Sequence, residues 1–196
     1  MLADNGFYHL NADAHGVGKQ TVCNTLRKFV GTVNEILYGD VVRFPDEMDN
    51  LVQEFFEVRG GGIPSVCALL DGSLIKIHAP SVDEAQFVDR KGNHSINAMF
   101  VTGAEHKIYY CNASWPGSVH DARVLRNSAI EELFEVRQWR PFPGAVILAD
   151  SGYNPPKQWL IPPINGPETA AEARFNTAHC ITRSRIERTI GILKQR

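Results

Sequence analysis

The sequence lacks the long apolar run that a membrane-spanning helix needs. No stretch of it approaches the roughly 20 apolar residues that cross a bilayer. The first ten residues, MLADNGFYHL, have neither a basic flank nor an apolar core, so we expect no secretory signal. The 4 cysteines are widely spaced and form no CxxC pair. This spacing argues against a zinc knuckle and a disulfide framework, and it favours a reducing compartment.

A strong overall charge is also absent. The chain has 20 basic and 22 acidic residues and a net charge of −2. Any binding of nucleic acid must therefore depend on a local patch rather than on the charge of the whole molecule. Residues 174–196 offer such a patch, because they include six basic residues and a single acid, Glu187. A solvated helix face has the same pattern, and the charges alone do not separate the two interpretations.

The length of 196 residues suits one α/β domain with a small appendage. Residues 16–38 have helical periodicity and follow a turn of small residues. Lys19 and Gln20 would occupy the first exposed turn of this helix, where a helix-turn-helix contacts DNA. An amphipathic helix that packs on the main domain fits the periodicity equally well. Residues 41–65 are predicted to be a linker and a helix, the helix at about 46–58.

The main domain is predicted to begin at residue 66. Its strands are expected at 66–78, with a bend at Asp71-Gly72, and at 95–103, 107–114 and 144–149. A helix is expected at 118–134, capped by Ser118, and a proline-rich loop at 154–167. One bent helix or two helices should occupy 168–195. This order of elements predicts a mixed α/β sheet flanked by helices.

Two of the apolar strands run directly into an aspartate. Asp71 follows VCALL and Asp150 follows VILA, while Asp121 lies near a helix start and Glu187 lies four residues after Arg183. Each acid has an ordinary explanation: a turn, a helix-dipole contact, an Asx loop, a capping box or a surface ion pair. Carboxylates that converge at the carboxyl ends of strands repel one another. A hard divalent cation with oxygen ligands would relieve that repulsion.

Six blocks of sequence resemble the catalytic domain of PIF/Harbinger-type transposases and of the nucleases derived from them. In chain order the blocks are LLDGSLIKI (69–77), RKGNHSINAMFV (90–101), WPGSVHDARVL (115–125), ADSGY (149–153), WLIPPI (159–164) and RSRIERTIGILKQR (183–196). Each block is weak evidence by itself. Their order and content cover residues 66–196 with few gaps, which makes the combined resemblance specific.

The resemblance implies an RNase H-like fold and a DDE-type metal site in residues 66–196. The implied catalytic residues are Asp71, Asp150 and Glu187, and Asp121 is a fourth carboxylate that this family associates with the site. All four would be ligands of Mg²⁺ or Mn²⁺. The resemblance also implies that residues 1–40 are part of a helix-turn-helix region that precedes the catalytic domain.

The implied function is an endonuclease that cleaves DNA phosphodiester bonds by a two-metal mechanism. Arg183, Arg188 and Lys194 would hold the DNA backbone, and Lys19 and Gln20 would contact DNA from the amino-terminal region. One alternative is a domesticated, catalytically silent DNA-binding or scaffold protein that acts with a Myb-like partner. Another is a metal phosphohydrolase of small substrates, which the basic final helix argues against. The resemblance implies a nuclear location, with the cytoplasm as a second compartment.

Overall fold

A five-stranded mixed sheet forms the centre of the protein. The computed structural model describes residues 5–46, 49–58 and 62–195. Its strands are β1 (Val66–Lys76), β2 (Ser95–Thr102), β3 (Ile108–Pro116), β4 (Val146–Leu148) and β5 (Leu160–Ile161). They lie in the order β3-β2-β1-β4-β5. The first three strands pair antiparallel, and β4 and β5 run parallel to β1. The prediction of a mixed sheet flanked by helices is confirmed.

Helices cover both faces of this sheet. They are α1 (Asn5–His15), α2 (Lys19–Ile36), α3 (Tyr38–Val41), α4 (Asp49–Phe56), α5 (Asp121–Arg126), α6 (Ala129–Glu131), which continues as a π-helical turn over Glu132–Val136, and α7 (Ala170–Lys194). Within the described ranges, no helix is both long and apolar enough to span a bilayer.

The two faces of β1 pack against two different apolar cores. Leu70 packs with Val124 of α5 in one core, while Leu69 packs with Ile186 of α7 in the other. Successive side chains of a strand point to opposite faces. Asp71 therefore faces α7, as Leu69 does, and Gly72 faces α5, as Leu70 does.

The predicted bend at Asp71-Gly72 is wrong. β1 pairs with β2 without interruption from Leu69, opposite Thr102, to Lys76, opposite Ser95. Asp-Gly is a turn signal in isolation, but eight consecutive paired positions keep this segment extended. What does end here is the pairing of β1 with β4, whose last matched residues are Leu69 and Leu148.

The helix predicted at 118–134 is divided, and Ser118 does not cap it. The helix α5 begins at Asp121 after the N-cap His120, and the chain leaves it at Asn127. Ser128 then caps α6, because its Oγ accepts a hydrogen bond of 3.2 Å from the Glu131 amide. The final helix is a single α7, which begins with a capping box between Thr169 and Glu172.

Two helices joined by a short turn at residues 16–18 precede the domain. The helix α2 has no buried residue, and Lys19 and Gln20 are exposed in its first turn. The Tyr38 hydroxyl in α3 donates a hydrogen bond of 3.0 Å to the Cys111 carbonyl, so this region contacts β3. A helix-turn-helix role in DNA binding stays a prediction. Of the predicted helix at 46–58, the described part is α4, and residues 47–48 lie outside the described ranges.

Candidate active site

The strands β1 and β4 place two aspartates side by side. Leu69 of β1 and Leu148 of β4 are partners in the parallel register. Asp71 follows Leu69 by two residues, and Asp150 follows Leu148 by two residues. They therefore reach the same edge of the sheet. After Asp150 the chain turns into a 3₁₀ segment, Ser151–Tyr153, which leaves the Asp150 side chain 52% exposed.

The helix α7 contributes Arg183 and Glu187 to this edge. The Arg183 Nη2 atom lies 3.1 Å from Asp71 Oδ2. Its Nη1 atom lies 3.5 Å from Asp150 Oδ1 and 3.8 Å from Glu187 Oε1. The Arg183 side chain is only 11% exposed. One buried guanidinium thus brings together three of the four carboxylates that the sequence singled out.

Arg183 was predicted as a contact to the DNA backbone, with a surface ion pair to Glu187 as the ordinary alternative, and its contacts with Asp71 and Asp150 were missed. A sequence signal for its burial existed. Arg183 precedes Ile186 by three residues and Ile190 by seven, so it lies on the same helical stripe as these two buried residues. The basic composition of the segment favoured an exposed arginine instead.

Burial dominates the electrostatics of Asp71. Desolvation raises the pKa of its carboxyl from the ordinary 3.8 to about 6. Arg183 and a hydrogen bond of 2.9 Å from the Gly72 amide oppose this rise in pKa, and the charges of Asp150 and Glu187 add to it.

Asp121 approaches the site from the other face of β1. Its Oδ1 accepts a hydrogen bond of 2.7 Å from Asn97 Nδ2, which also donates to the Val119 carbonyl at 2.8 Å. A Cβ atom added to Gly72 would lie 2.6 Å from Asp121 Oδ1. The absence of a side chain at Gly72 is what admits the carboxylate. Asp121 is thus close to the cluster but is not among the three acids that contact Arg183.

The Tyr153 hydroxyl also reaches this region, and the sequence analysis did not single it out. It is buried and has no hydrogen-bond partner among the described residues. A Cβ atom on Gly72 would lie 3.2 Å from it. Burial, with the charges of Asp121 and Asp71, raises the pKa of Tyr153 well above its ordinary range, so the hydroxyl keeps its proton. It is therefore an unused hydrogen-bond donor, and its place in the ADSGY block was the only sequence signal for it.

The donor set of this site fits a hard divalent cation. Among the described residues, no three aspartate, glutamate, histidine or cysteine side chains already stand close enough to hold a metal ion. The carboxylates of Asp71, Asp150 and Glu187 nevertheless surround one positive group, the Arg183 guanidinium. All of their donor atoms are oxygens, which Mg²⁺ and Mn²⁺ prefer. Their role as metal ligands stays a prediction.

The remaining predicted DNA contacts lie on the surface. Arg188 is exposed on α7, and Lys194 at the end of this helix donates a hydrogen bond of 3.1 Å to the Leu74 carbonyl of β1. Lys19 and Gln20 are exposed on α2. These positions are accessible to a large ligand, and binding of DNA by them stays a prediction.

The chain resembles known proteins along nearly its whole length. A model of the DDE superfamily endonuclease family matches residues 70–196. Two proteins named putative nuclease HARBI1, from Mus musculus and Bos taurus, are each 33% identical to it and match 98% and 100% of the chain. The Arabidopsis thaliana protein named ALP1-like is 25% identical over 94% of the chain. No solved structure matches it.

The chain spans only about half the length of these curated relatives. The match covers 56% of the Mus musculus protein, 57% of the Bos taurus protein and 48% of the Arabidopsis thaliana protein.

A methyl group at position 72 should displace Asp121. We expect Gly72→Ala to destabilise the protein by about 1–3 kcal/mol, because the new Cβ would clash with the carboxylate that Asn97 holds. Gly191→Ala is the matched control, since a Cβ on Gly191 in α7 meets no atom within 4 Å. Urea denaturation of both variants measures the difference. A Gly72→Ala protein as stable as wild type would show that Asp121 does not need the space at Gly72.

The raised pKa of Asp71 predicts a pH dependence of stability. Between about pH 4 and pH 6 the folded protein holds a proton on Asp71 that the unfolded chain has lost. Raising the pH through this window should therefore lower the free energy of unfolding, by up to about 3 kcal/mol in total. In Asp71→Asn this loss should vanish. Urea denaturation in EDTA at several pH values tests it, and parallel pH profiles of the two proteins would contradict it.

Proposed function

The chain belongs to the DDE superfamily endonuclease family, and we propose that it cleaves phosphodiester bonds of DNA with the aid of Mg²⁺ or Mn²⁺. The observation that carries this proposal is the convergence of Asp71, Asp150 and Glu187 on the single buried cation of Arg183. Carboxylates that share one cation in this way form a set of oxygen ligands suited to a divalent ion.

In the proposed reaction Asp71, Asp150 and Glu187 would hold the divalent ions, and Asp121 would be an outer ligand. The bound ions would supply activation of a water nucleophile and stabilisation of the leaving 3′ oxygen. Asn97 fixes the orientation of Asp121 through its hydrogen bond of 2.7 Å. The Tyr153 hydroxyl keeps its proton and has no partner among the described residues. It can therefore donate a hydrogen bond to an oxygen atom of a substrate or water molecule that binds beside Gly72.

Arg183 has to give way to the ions in this proposal. Its guanidinium contacts the same carboxylate oxygens that would bind the metal. A planar guanidinium also binds phosphate in a bidentate manner. We propose that Arg183 exchanges its carboxylate partners for a DNA phosphate near the reacting bond. This exchange would give Arg183 the backbone contact predicted from the sequence.

The same cluster supports a second candidate function. A site whose carboxylates are already paired with Arg183 also suits a catalytically silent protein that binds DNA or serves as a scaffold. For either function we propose DNA as the ligand and, from the family resemblance, a Myb-like DNA-binding partner. We propose a nuclear location for the same reason, with the cytoplasm as a second compartment.

The two candidates differ in the effect of Asp71→Asn on DNA cleavage. The amide is nearly isosteric but does not carry the charge that offsets the ions. We expect wild-type protein to nick supercoiled plasmid in Mn²⁺, and Asp71→Asn to lose more than the roughly 10²–10³-fold that follows loss of one electrostatic contact. Gel analysis of plasmid nicking, with and without EDTA, measures this.

Asp13→Asn is the matched control, because it makes the same chemical change at an exposed position on α1. It should nick as wild type does. Thermal melting with Mn²⁺ gives a second readout: the ion should raise the melting temperature of wild type and of Asp13→Asn, and raise that of Asp71→Asn much less. A wild-type chain that neither nicks DNA nor responds to Mn²⁺ would favour the silent candidate.

A further inference from the structure

A groove with several basic side chains adjoins the carboxylate cluster. It encloses about 380 Å³, and one of its walls is formed by Gly72 and Asp121, which also belong to the candidate active site. Its basic side chains come from three separate parts of the chain: Lys76 from β1, Arg90 and Lys91 from the segment before β2, and Lys194 from α7. We call this cavity the basic groove.

A rigid turn presents Arg90 and Lys91. The buried Asp89 carboxylate accepts hydrogen bonds from the Lys91 amide at 2.8 Å, the Asn93 amide at 3.0 Å and Ser95 Oγ at 2.9 Å. The Asp89 amide in turn donates to the Asn93 carbonyl at 2.9 Å. The negative charge of Asp89 is thus compensated by hydrogen bonds within the turn. Cations on such a fixed backbone lose less conformational freedom when they bind an anion.

These basic side chains are available to a ligand. Lys76, Arg90 and Lys91 are exposed, and within the described ranges none of them has an acidic side chain within 4.0 Å. Lys194 is held over β1 by its hydrogen bond to the Leu74 carbonyl. Four exposed cationic side chains beside one groove favour the binding of an anionic ligand.

The length of strand along the groove suits a polymer backbone. From Gly72 to Lys76, which both line the groove, the strand β1 rises by roughly 13 Å at about 3.3 Å per residue. That length matches the axial rise of about four phosphates on one DNA strand, at roughly 3.4 Å each. No phenylalanine, tyrosine or tryptophan is among the described residues that line the groove, and its one aromatic side chain is that of His120, so the lining offers cations for phosphates more than a platform for stacked bases.

We propose that the basic groove binds the DNA backbone on one side of the reacting phosphate, with Arg90 and Lys91 as its principal phosphate contacts. This inference rests on the proposed function, because it takes the carboxylate cluster as the position of the reacting phosphate. The contacts are to phosphates and carry no sequence information. The groove therefore sets where the strand lies and how strongly it is held, independent of its sequence.

The test is DNA binding by the double variant Arg90→Gln/Lys91→Gln, measured by fluorescence anisotropy in EDTA so that no cleavage takes place. Two labelled duplexes of unrelated sequence serve as probes at several salt concentrations. Each lost phosphate contact reduces the log–log salt slope by about 0.9, so we expect a slope less steep by about 2 for both duplexes. A separate Lys76→Gln variant should reduce the slope by about 0.9.

The matched control is Lys107→Gln/Arg137→Gln, which removes two positive charges from exposed positions outside both the groove and α2. Its salt slope should stay near that of wild type. An equal change in both double variants would show that only the total charge matters and would overturn the inference. So would an unchanged slope in the groove variant, or a wild-type chain that does not bind DNA.

The result is separate from that of the nicking assay. If wild-type protein binds DNA through Arg90 and Lys91 but does not nick plasmid in Mn²⁺, the groove is supported and the nuclease function is rejected. If it nicks plasmid while the groove variant binds DNA as wild type does, the nuclease function stands and the groove is rejected.

Discussion

The repulsion among three carboxylates at one edge of the sheet is offset in part by one positive charge, that of Arg183. Its buried guanidinium contacts Asp71, Asp150 and Glu187 at 3.1–3.8 Å. Of these contacts only the one with Asp71 is buried on both sides, and removing one partner of a buried ion pair typically costs about 3–5 kcal/mol, because a charge is left uncompensated. The helix α7 is therefore held to β1 and β4 by charge as well as by the burial of Ile186. The position of α7 and the arrangement of the carboxylates therefore depend on the same contacts.

The alternation of side chains along β1 gives this site two sides. Asp71 faces α7 and meets Arg183, while Gly72 faces α5 and leaves space for Asp121. Neighbouring residues of one strand thus bring in groups from helices on opposite faces of the sheet. A larger residue at position 72 would close the second side. This arrangement depends on the extended backbone that pairing with β2 maintains through the Asp-Gly pair.

The sequence predicted most of this architecture, and its errors have physical causes. Apolar runs that end in aspartate identified Asp71 and Asp150, since a buried strand is apolar on both faces. The register of β1 and β4, which makes the two aspartates neighbours, depends on tertiary pairing and cannot be read from one chain segment. The strand β5 has only 2 residues, too few to show periodicity. Arg183 was taken for a surface residue because its neighbours are basic, although it shares the stripe of Ile186.

The distribution of charge also explains how a chain with a net charge of −2 can suit a polyanionic ligand. A phosphate near Asp71, Asp150 and Glu187 would be repelled unless positive charge lies between them. In the described structure Arg183 offsets part of the charge of the acids, and Lys76, Arg90 and Lys91 line the basic groove, whose wall includes Gly72 and Asp121. In the proposed function Asp71, Asp150 and Glu187 would hold divalent ions, and Arg183 would then be available to the phosphate. The added positive charge would reduce the repulsion between the acids and the substrate, which favours its approach.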